Sequence, residues 1–231
     1  MITRKTTVAL AVAMALSLPM AASARGLDFN YLEANYINVD VDFSDSFTDE
    51  DGTFSLATDD GDGFQIGGAW HVWETVHLFG EYSTASQDIA VSDGILTAEG
   101  DFDVVRWRLG VGNSFPVSDV MSMYGRISYD RIEFKDFKAE GESLGSEADT
   151  KDDGFGAELG LLWAATPQFH VQPYVRYTSV GEIDPEKNDT FDADVLFGIG
   201  ARWFVTENFA LQAGFETGEI ETWNVGGRFA F

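Results

Sequence analysis

In the stretch Val195-Leu196-Phe197-Gly198-Ile199-Gly200-Ala201-Arg202-Trp203, every second residue is apolar. The residues between them are a leucine, two glycines and a fully charged arginine. A β-strand sends successive side chains to opposite faces. One face of this strand therefore suits hydrocarbon and the other is small and charged. The pattern recurs. Phe64, Ile66, Trp70 and Val72 alternate with Gln65, Gly67, Ala69 and His71. Val105, Trp107, Leu109 and Val111 alternate with Arg106, Arg108, Gly110 and Gly112. Phe155, Ala157, Leu159, Leu161 and Trp163 alternate with Gly156, Glu158 and Gly160. Each stretch is about ten residues long, the length a tilted strand needs to cross a bilayer. A face bearing full charges is a poor half of a sandwich core but a good wall between lipid and a polar lumen. Beyond the N-terminal two dozen residues, no apolar run approaches the roughly 20 residues of a transmembrane helix.

The alternation places strands near residues 27–41, 62–72, 75–88, 101–112, 120–134, 153–164, 169–180, 191–204, 208–218 and 221–231. Long links (42–61, 89–100, 135–152, 181–190) alternate with short ones (Trp73-Glu74, 113–119, 165–168, 205–207). Outer-membrane barrels have long loops outside and short turns on the periplasmic side. The expected fold is all-β: an antiparallel up-and-down transmembrane β-barrel of ten strands, with eight as the rival count. The last hairpin, around Gly218-Glu219, departs from the rule with a tight outer loop. Hairpins centred on Trp70…Tyr82, Gly112…Tyr129, Trp163…Tyr177 and Trp203…Phe215 form a weak internal repeat with drifting spacing. Aromatic residues fall in two bands. Trp70, Trp73, Phe115, Trp163, Phe169, Trp203 and Phe209 lie near short turns, and Tyr36, Phe64, Tyr82, Tyr129, Phe155 and Tyr177 near long links. Two girdles are what a membrane with two interfaces selects.

The chain opens with a different unit. Arg4 and Lys5 precede an apolar core from Val8 to Leu18, and Ala22-Ser23-Ala24 follows as a small-residue cleavage site. Residues 1–24 are expected to be a signal peptide and residues 25–231 the barrel domain. The full chain carries a net charge of −25. Loss of Arg4 and Lys5 leaves 12 cations against 39 acids, or −27. Such acidity argues against nucleic acid as a partner. With aromatics at 14%, the composition is not that of a disordered acidic chain. Cysteine is absent, which excludes disulfide staples.

The chain ends Trp223-Asn224-Val225-Gly226-Gly227-Arg228-Phe229-Ala230-Phe231. Counting back from Phe231, apolar or small residues (Phe229, Gly227, Val225, Trp223) hold every second position. This resembles the C-terminal signal read by the barrel-assembly machinery. The hairpin DGFQIGGAWHVWETVHLFGEYS, the strand FDVVRWRLGVG and the terminal WNVGGRFAF together resemble the small outer-membrane β-barrel domain family, related in architecture to OmpA and OmpX. The likeness is nearest to acidic, vesicle-associated barrels of proteobacteria and spans nearly all of residues 25–231. It implies residence in the outer membrane and its vesicles, with lipid and lipopolysaccharide as surroundings. It implies no catalytic constellation, no cofactor and no metal centre, and the chain lacks the peptidoglycan-binding domain that follows the barrel in OmpA-like proteins.

Strand parity turns ten charged residues inward: Arg106, Arg108, Arg126, Arg176, Arg202 and Arg228, with Glu33, Glu81, Glu158 and Glu216. These are six of the eight arginines beyond residue 24, gathered in one place in an acidic chain. Two readings follow: a cation-lined channel for small solutes, or a lumen plugged by Arg–Glu networks. The narrowness of so small a barrel favours the plug.

Acid is concentrated in the long links. Asp42, Asp45, Asp49, Glu50, Asp51, Asp59, Asp60 and Asp62 stand without a Lys or Arg among them. In 181–194, Glu182, Asp184, Glu186, Asp189, Asp192 and Asp194 face Lys187 alone. Carboxylate clusters could take divalent cations. A calcium-loop reading of Asp60, Asp62 and Gly63 fails at its ends, where Thr58 and Ala69 stand in place of acids. A solvated, repulsive surface is the better reading. Barrel enzymes commonly use a histidine near the outer rim. His71, His77 and His170 all lie beside short turns, where interfacial polar roles are expected, so an enzyme is not. The functional expectation is a structural or surface-interaction role carried by acidic loops, with the narrow channel as the alternative.

Overall fold

The structure, a computed structural model, describes residues 27, 29–41, 44–49, 52–92, 97–139, 142–143, 145, 149–180, 194–218 and 220–231. The expected signal peptide and nearly all of the link 181–194 lie outside these.

The described chain is all strand. In order the strands are β1 (Tyr31–Val41), β2 (Ser44–Asp49), β3 (Gly52–Thr58), β4 (Gly61–His71), β5 (Val76–Ser92), β6 (Thr97–Ser118) and β7 (Met121–Ala139). There follow β8 (Glu142–Ser143), β9 (Thr150–Ala164), β10 (Phe169–Thr178), β11 (Asp194–Phe204), β12 (Phe209–Thr217) and β13 (Ile220–Ala230). Ten of them close into an antiparallel barrel, β1-β4-β5-β6-β7-β9-β10-β11-β12-β13, which settles the count against eight. The closing seam joins the first strand to the last, from Tyr31 opposite Ala230 to Val41 opposite Ile220. Beyond it, Phe231 N–H donates to the Asn30 carbonyl at 3.1 Å. On the other side of β13, Ala230 N–H donates to the Asn208 carbonyl and Asn208 Nδ2 to the Ala230 carbonyl, each at 2.7 Å.

The short turns sit at the same end as both chain termini, and two are built alike. In Thr166-Pro167-Gln168-Phe169 the threonine Oγ1 accepts from the N–H groups of Gln168 (3.3 Å) and Phe169 (2.9 Å). In Thr206-Glu207-Asn208-Phe209 the same bonds run from Asn208 (3.4 Å) and Phe209 (3.0 Å). A hydroxyl that mimics a backbone acceptor holds each turn tight.

Three of the expected long links differ from expectation, because much of their length is strand. β5 and β6 continue to Ser92 and Thr97, β7 runs to Ala139, and residues 44–58 fold as the hairpin β2–β3. That hairpin joins the outer end of β5, from Ser55 opposite Ser92 to Thr58 opposite Ile89. The short link 113–119 is also mostly strand: β6 reaches Ser118, with a register shift between Pro116 and Ser118. Proline has no N–H for the ladder, so the pairing slips there. These segments carry their own alternation, and extending an antiparallel ladder satisfies their backbone groups.

The polarity of the barrel is inside out. Leu32, Ile127, Leu159 and Phe197 face outward and are about 60% exposed, while Arg126, Glu158 and Arg228 are buried inside. So continuous an apolar belt requires lipid around it. The upper girdle is paired: Tyr36 with Trp223, Phe64 with Tyr82, Trp107 with Tyr129 and Phe155 with Tyr177, at centroid distances of 5.5, 6.2, 5.4 and 5.6 Å. The lower girdle exposes Trp70, Trp73, Phe115, Trp163, Trp203 and Phe209.

Above the upper girdle both faces change character. On β6 the inward residues pass from Arg106 and Arg108 to Val104 and Phe102, while the half-buried Asp103 and Asp101 replace Trp107 on the other face. On β7, inward Arg126 and Asp130 give way to Ile132 and Phe134, and outward Ile127 and Tyr129 to Arg131 and Glu133. The barrel wall leaves hydrocarbon there and adopts the ordinary polarity of a protein in water.

This places the bilayer, and with it a prediction. Leu159→Arg, midway between Phe155 and Trp163, should cost about 2–4 kcal/mol of folding free energy in vesicles. Asp88→Arg, beyond the girdle, should leave the urea midpoint where it was. Equal midpoints for the two variants would put the belt elsewhere.

Candidate functional site

The lumen is filled in three storeys. The storey nearest the short turns is aromatic. Phe29, from the segment that precedes β1, inserts its ring flat on that of His77, with centroids 4.2 Å apart and planes 5° apart. Tyr124 meets Phe29 edge-on at 5.2 Å. Arg126 caps this group, its guanidinium 4.6 Å from the centre of the Phe79 ring and 5.0 Å from Phe29. Its Nε donates to His77 Nε2 and its Nη2 to the Tyr31 hydroxyl, each at 3.2 Å. His77 and His170 are wholly buried here, which corrects their expected interfacial placement. Both lie on the inward face, so nearness to a turn did not mean nearness to lipid.

The middle storey is ionic. Arg108 donates to Glu81 (3.1 Å) and Glu158 (3.2 Å), and its Nε lies 3.4 Å from Asp130. Arg126 faces Glu158 at 3.6 Å and Glu81 at 3.9 Å. A second group ties Arg228 to Glu33, with Gln212 donating to Glu33 at 3.1 Å and to Asn35 at 2.7 Å. The Arg228 guanidinium lies 3.6 Å from the centre of the Tyr31 ring. A third ties Arg176 to Glu216, which also accepts from the Tyr174 hydroxyl at 2.9 Å. Arg106 lines a cavity of about 90 Å³ above these groups, and Arg202 lines one of about 120 Å³ among them. Glu33, Glu81, Glu158 and Glu216 thus each touch at least one of Arg108, Arg126, Arg176 and Arg228.

The inner wall is fitted to this filling. Tyr124 and Tyr174 both lie opposite Gly160, and Tyr174 also opposite Gly198. A Cβ on Gly160 would come within 2.4 Å of the Tyr124 ring, and one on Gly198 within 2.1 Å of the Tyr174 ring. The phenols fold down over bare backbone, so glycine on the inner face makes room for the plug.

The outer storey is apolar. Ile37, Val39, Phe102, Val104, Ile132 and Phe134 form its core, joined by Val180 and Ile220. Parity gives these residues inward positions, yet nothing in a barrel reading that equates apolar with lipid-facing identifies them. Asp130, Tyr31, Tyr124 and Tyr174 were missed for a related reason. Asp130 shares a face with Arg126, but it stands beside Arg131, and that polar doublet obscures the alternation.

Outside the membrane the charges are ordinary surface pairs. Lys138 Nζ donates to Asp101 at 2.7 Å, and this bond raises the ammonium pKa. Asp62, from the failed calcium-loop pattern, accepts from the Tyr36 hydroxyl and from Asn38 Nδ2. Among the described residues no group of three Asp, Glu or His side chains is placed to hold a metal ion. The terminal residues Trp223, Val225, Phe229 and Phe231 are exposed along the lipid face of the closing strand, and Gly227 leaves a notch that the Phe209 ring covers.

A closed strand barrel with an apolar belt, two aromatic girdles and a polar interior is an integral outer-membrane barrel. A family model described as outer membrane protein beta-barrel domain matches residues 8–196, and the chain belongs to that family. No curated protein matches it in sequence. Among solved structures it is similar to the outer membrane protein OprG from Pseudomonas aeruginosa (13% identity, 87% of this chain and 94% of that one, TM-score 0.47). It is also similar to Neisserial surface protein A (14%, 90% and 100%, TM-score 0.42) and to Ail, the attachment invasion locus protein of Yersinia pestis (15%, 88% and 100%, TM-score 0.39).

The ionic storey carries a second prediction. Glu158→Ala removes the most buried carboxylate that Arg108 and Arg126 share, leaving them Glu81 and, for Arg108, Asp130, and should cost about 3 kcal/mol in urea unfolding. Lys138→Ala breaks an exposed pair and should leave the midpoint unchanged. If the two variants unfold alike, the lumen is hydrated enough to screen its charges.

Proposed function

We propose that this protein is a plugged outer-membrane barrel whose role is structural or interactive at the cell surface, not catalytic. The observation that carries this reading is the filled lumen: aromatic, ionic and apolar storeys stacked along one axis. A barrel closed by its own side chains offers the outside world only what stands above the girdle. There the strands continue past the membrane, and the hairpin β2–β3 adds to their edge. Asp59, Asp88, Glu99, Asp136, Asp149 and Asp153 are exposed at that end. Such a surface suits cationic partners, or divalent ions that bridge it to the phosphates of lipopolysaccharide. The terminal pattern through Phe231 is proposed as the segment the assembly machinery engages. A signal peptide at 1–24 is proposed as the export device.

A second reading, the narrow channel for small solutes, draws on the two cavities, which share Glu81, Arg108, Arg176 and Glu216 in their walls. Planar-bilayer recording of the refolded protein separates the two. The plug predicts no discrete openings, while the gel still shows a heat-modifiable band. Steady openings whose anion preference falls in Arg106→Ala would favour the channel instead. For the surface role, deletion of 42–61 should leave membrane insertion intact and weaken adhesion, biofilm formation or the response to divalent ions. A loop-deleted strain that matches the parent in all three would remove the interaction reading.

A further inference from the structure

Outside the lumen, cations keep to one side of the barrel. Among the described residues they are Arg131, Lys135 and Lys138 on β7 and Lys151 on the neighbouring β9. The rest of the outer rim shows Asp40, Asp59, Asp62, Asp88, Glu99 and Glu221, and no cation among the described residues. Arg131 marks where the stripe begins. It stands two residues beyond Tyr129 of the upper girdle and opposite Asp153, itself two residues beyond Phe155. That is the level where hydrocarbon gives way to lipid headgroups. From there to Lys138 the stripe climbs roughly 20 Å of strand.

The face is alternating rather than acidic. Arg131 opposes Asp153 and Lys151 opposes Glu133 across β7 and β9, while Lys135 opposes Asp103 and Lys138 opposes Asp101 across β6 and β7. Asp136 and Asp149 add acid at the top of the stripe. Arg131 lies between Glu133 at 2.6 Å and Asp153 at 3.6 Å, and Lys138 is held by Asp101 at 2.7 Å. Lys135 reaches only the exposed Asp136, at 3.9 Å, and Lys151 has no ion pair among the described residues. Two ammonium groups therefore stand open to an outside anion. Exposed pairs are weak, so the Arg131 fork is not closed to one either. Below the stripe the lipid face is grooved: Gly125 and Ala157 are low points among Val111, Ile127, Tyr129 and Leu159. A second groove, between Leu32, Ile66, Tyr82 and Leu109, lies beneath a rim of β4 and β5 that bears Asp62 and Asp88. The cations distinguish the first.

We propose that the face formed by β6, β7 and β9 binds one molecule of lipopolysaccharide directly. Its lipid A phosphates meet Arg131 and Lys151, its acidic core sugars meet Lys135, and one acyl chain runs along the groove over Gly125 and Ala157. Cationic side chains at a lipid surface attract anionic headgroups, and a guanidinium can meet a phosphate with two parallel bonds. An ordinary phospholipid has a single headgroup layer and would leave the upper lysines unused. The acid-only remainder of the rim can reach the same phosphates only through divalent ions. The site rests on the outer-membrane placement of the barrel and not on what the acidic surface binds.

The test is native mass spectrometry of the full mature barrel in detergent with EDTA, titrated with a lipopolysaccharide truncated after its first acidic sugars. EDTA removes divalent bridging, so failure here leaves the acidic-surface reading untouched. The wild type is expected to retain the lipid, and the triple variant Arg131→Gln, Lys135→Gln, Lys151→Gln to bind it several-fold more weakly. The same lipid stripped of its phosphates should bind the wild type no better than the intact lipid binds the triple variant. Equal binding of the intact lipid by wild type and triple variant overturns the proposal, as does equal binding of intact and dephosphorylated lipid by the wild type. So does recovery of binding when Asp59→Asn, Asp88→Asn and Glu221→Gln restore the triple variant's net charge from elsewhere on the rim. Ala157→Trp fills the groove and should also weaken binding; wild-type affinity in that variant overturns the proposed seating. If the triple variant does not refold, Lys151→Gln breaks no ion pair and should show a smaller loss, and an unchanged affinity there overturns the proposal.

Discussion

Hydrocarbon cannot hydrogen-bond, and from this the rest of the molecule follows. Every N–H and C=O at membrane depth must find a partner within the protein, so a strand structure can cross only if it has no edge. The seam between β1 and β13 removes the last edge. Its register, carried through from Tyr31–Ala230 to Val41–Ile220, fixes which residues of both strands face lipid. A slip of one residue would turn Arg228 and Glu33 into hydrocarbon and Leu32 and Phe229 into the ion network. The side-chain bond between Glu33 and Arg228 stands on directly opposed residues of that seam. Closure and plugging are therefore one structural decision.

The same constraint explains why polarity inverts at the upper girdle. Below it the solvent is lipid, so apolar residues face out and charges collect within. Above it the solvent is water, and the ordinary burial of apolar side chains returns. The wall is continuous across the boundary, so the change has to occur within single strands. β6 makes it at Val104-Val105, two apolar residues in succession, and β7 at Asp130-Arg131, two polar ones. Each doublet is a half-period shift of pattern without any shift of backbone register, since Val104 still opposes Phe134 and Arg108 still opposes Asp130.

That shift also explains what could be read from the sequence and what could not. Inside the bilayer the alternation is clear: Val195 to Trp203 and Phe155 to Trp163 each put an apolar residue at every second position, and only Leu196 and Leu162 bring a large apolar side chain to the inward face. The ten membrane strands and the inward direction of the charged positions follow directly. Beyond the girdle the rule that apolar means lipid-facing reverses. Segments such as Ile89-Ala90-Val91 and Thr53-Phe54-Ser55-Leu56 then resemble loops because they sit among acids. They are strands, since a ladder already formed below is extended at little entropic cost. The partners within the lumen were unreadable for a different reason. Parity gives a direction but not a height or a reach, so it could not choose among five carboxylates for Arg108 or leave Arg202 with none.

The partition of charge in this chain is an answer to dielectric, not to net charge. Acids outnumber cations more than twofold overall, yet the middle of the lumen holds five guanidiniums and five carboxylates. Carboxylates that need no partner are left in water, where repulsion among them is screened within roughly 10 Å. Those taken inside come with arginines because only a paired charge is tolerable there. Arginine suits the role better than lysine, since one planar fork can meet several acceptors at once. Arg108 shows this by spanning Glu81, Glu158 and Asp130 from three different strands. A cross-brace of that kind holds the barrel's cross-section from within, at the depth where the wall has only lipid to support it from outside.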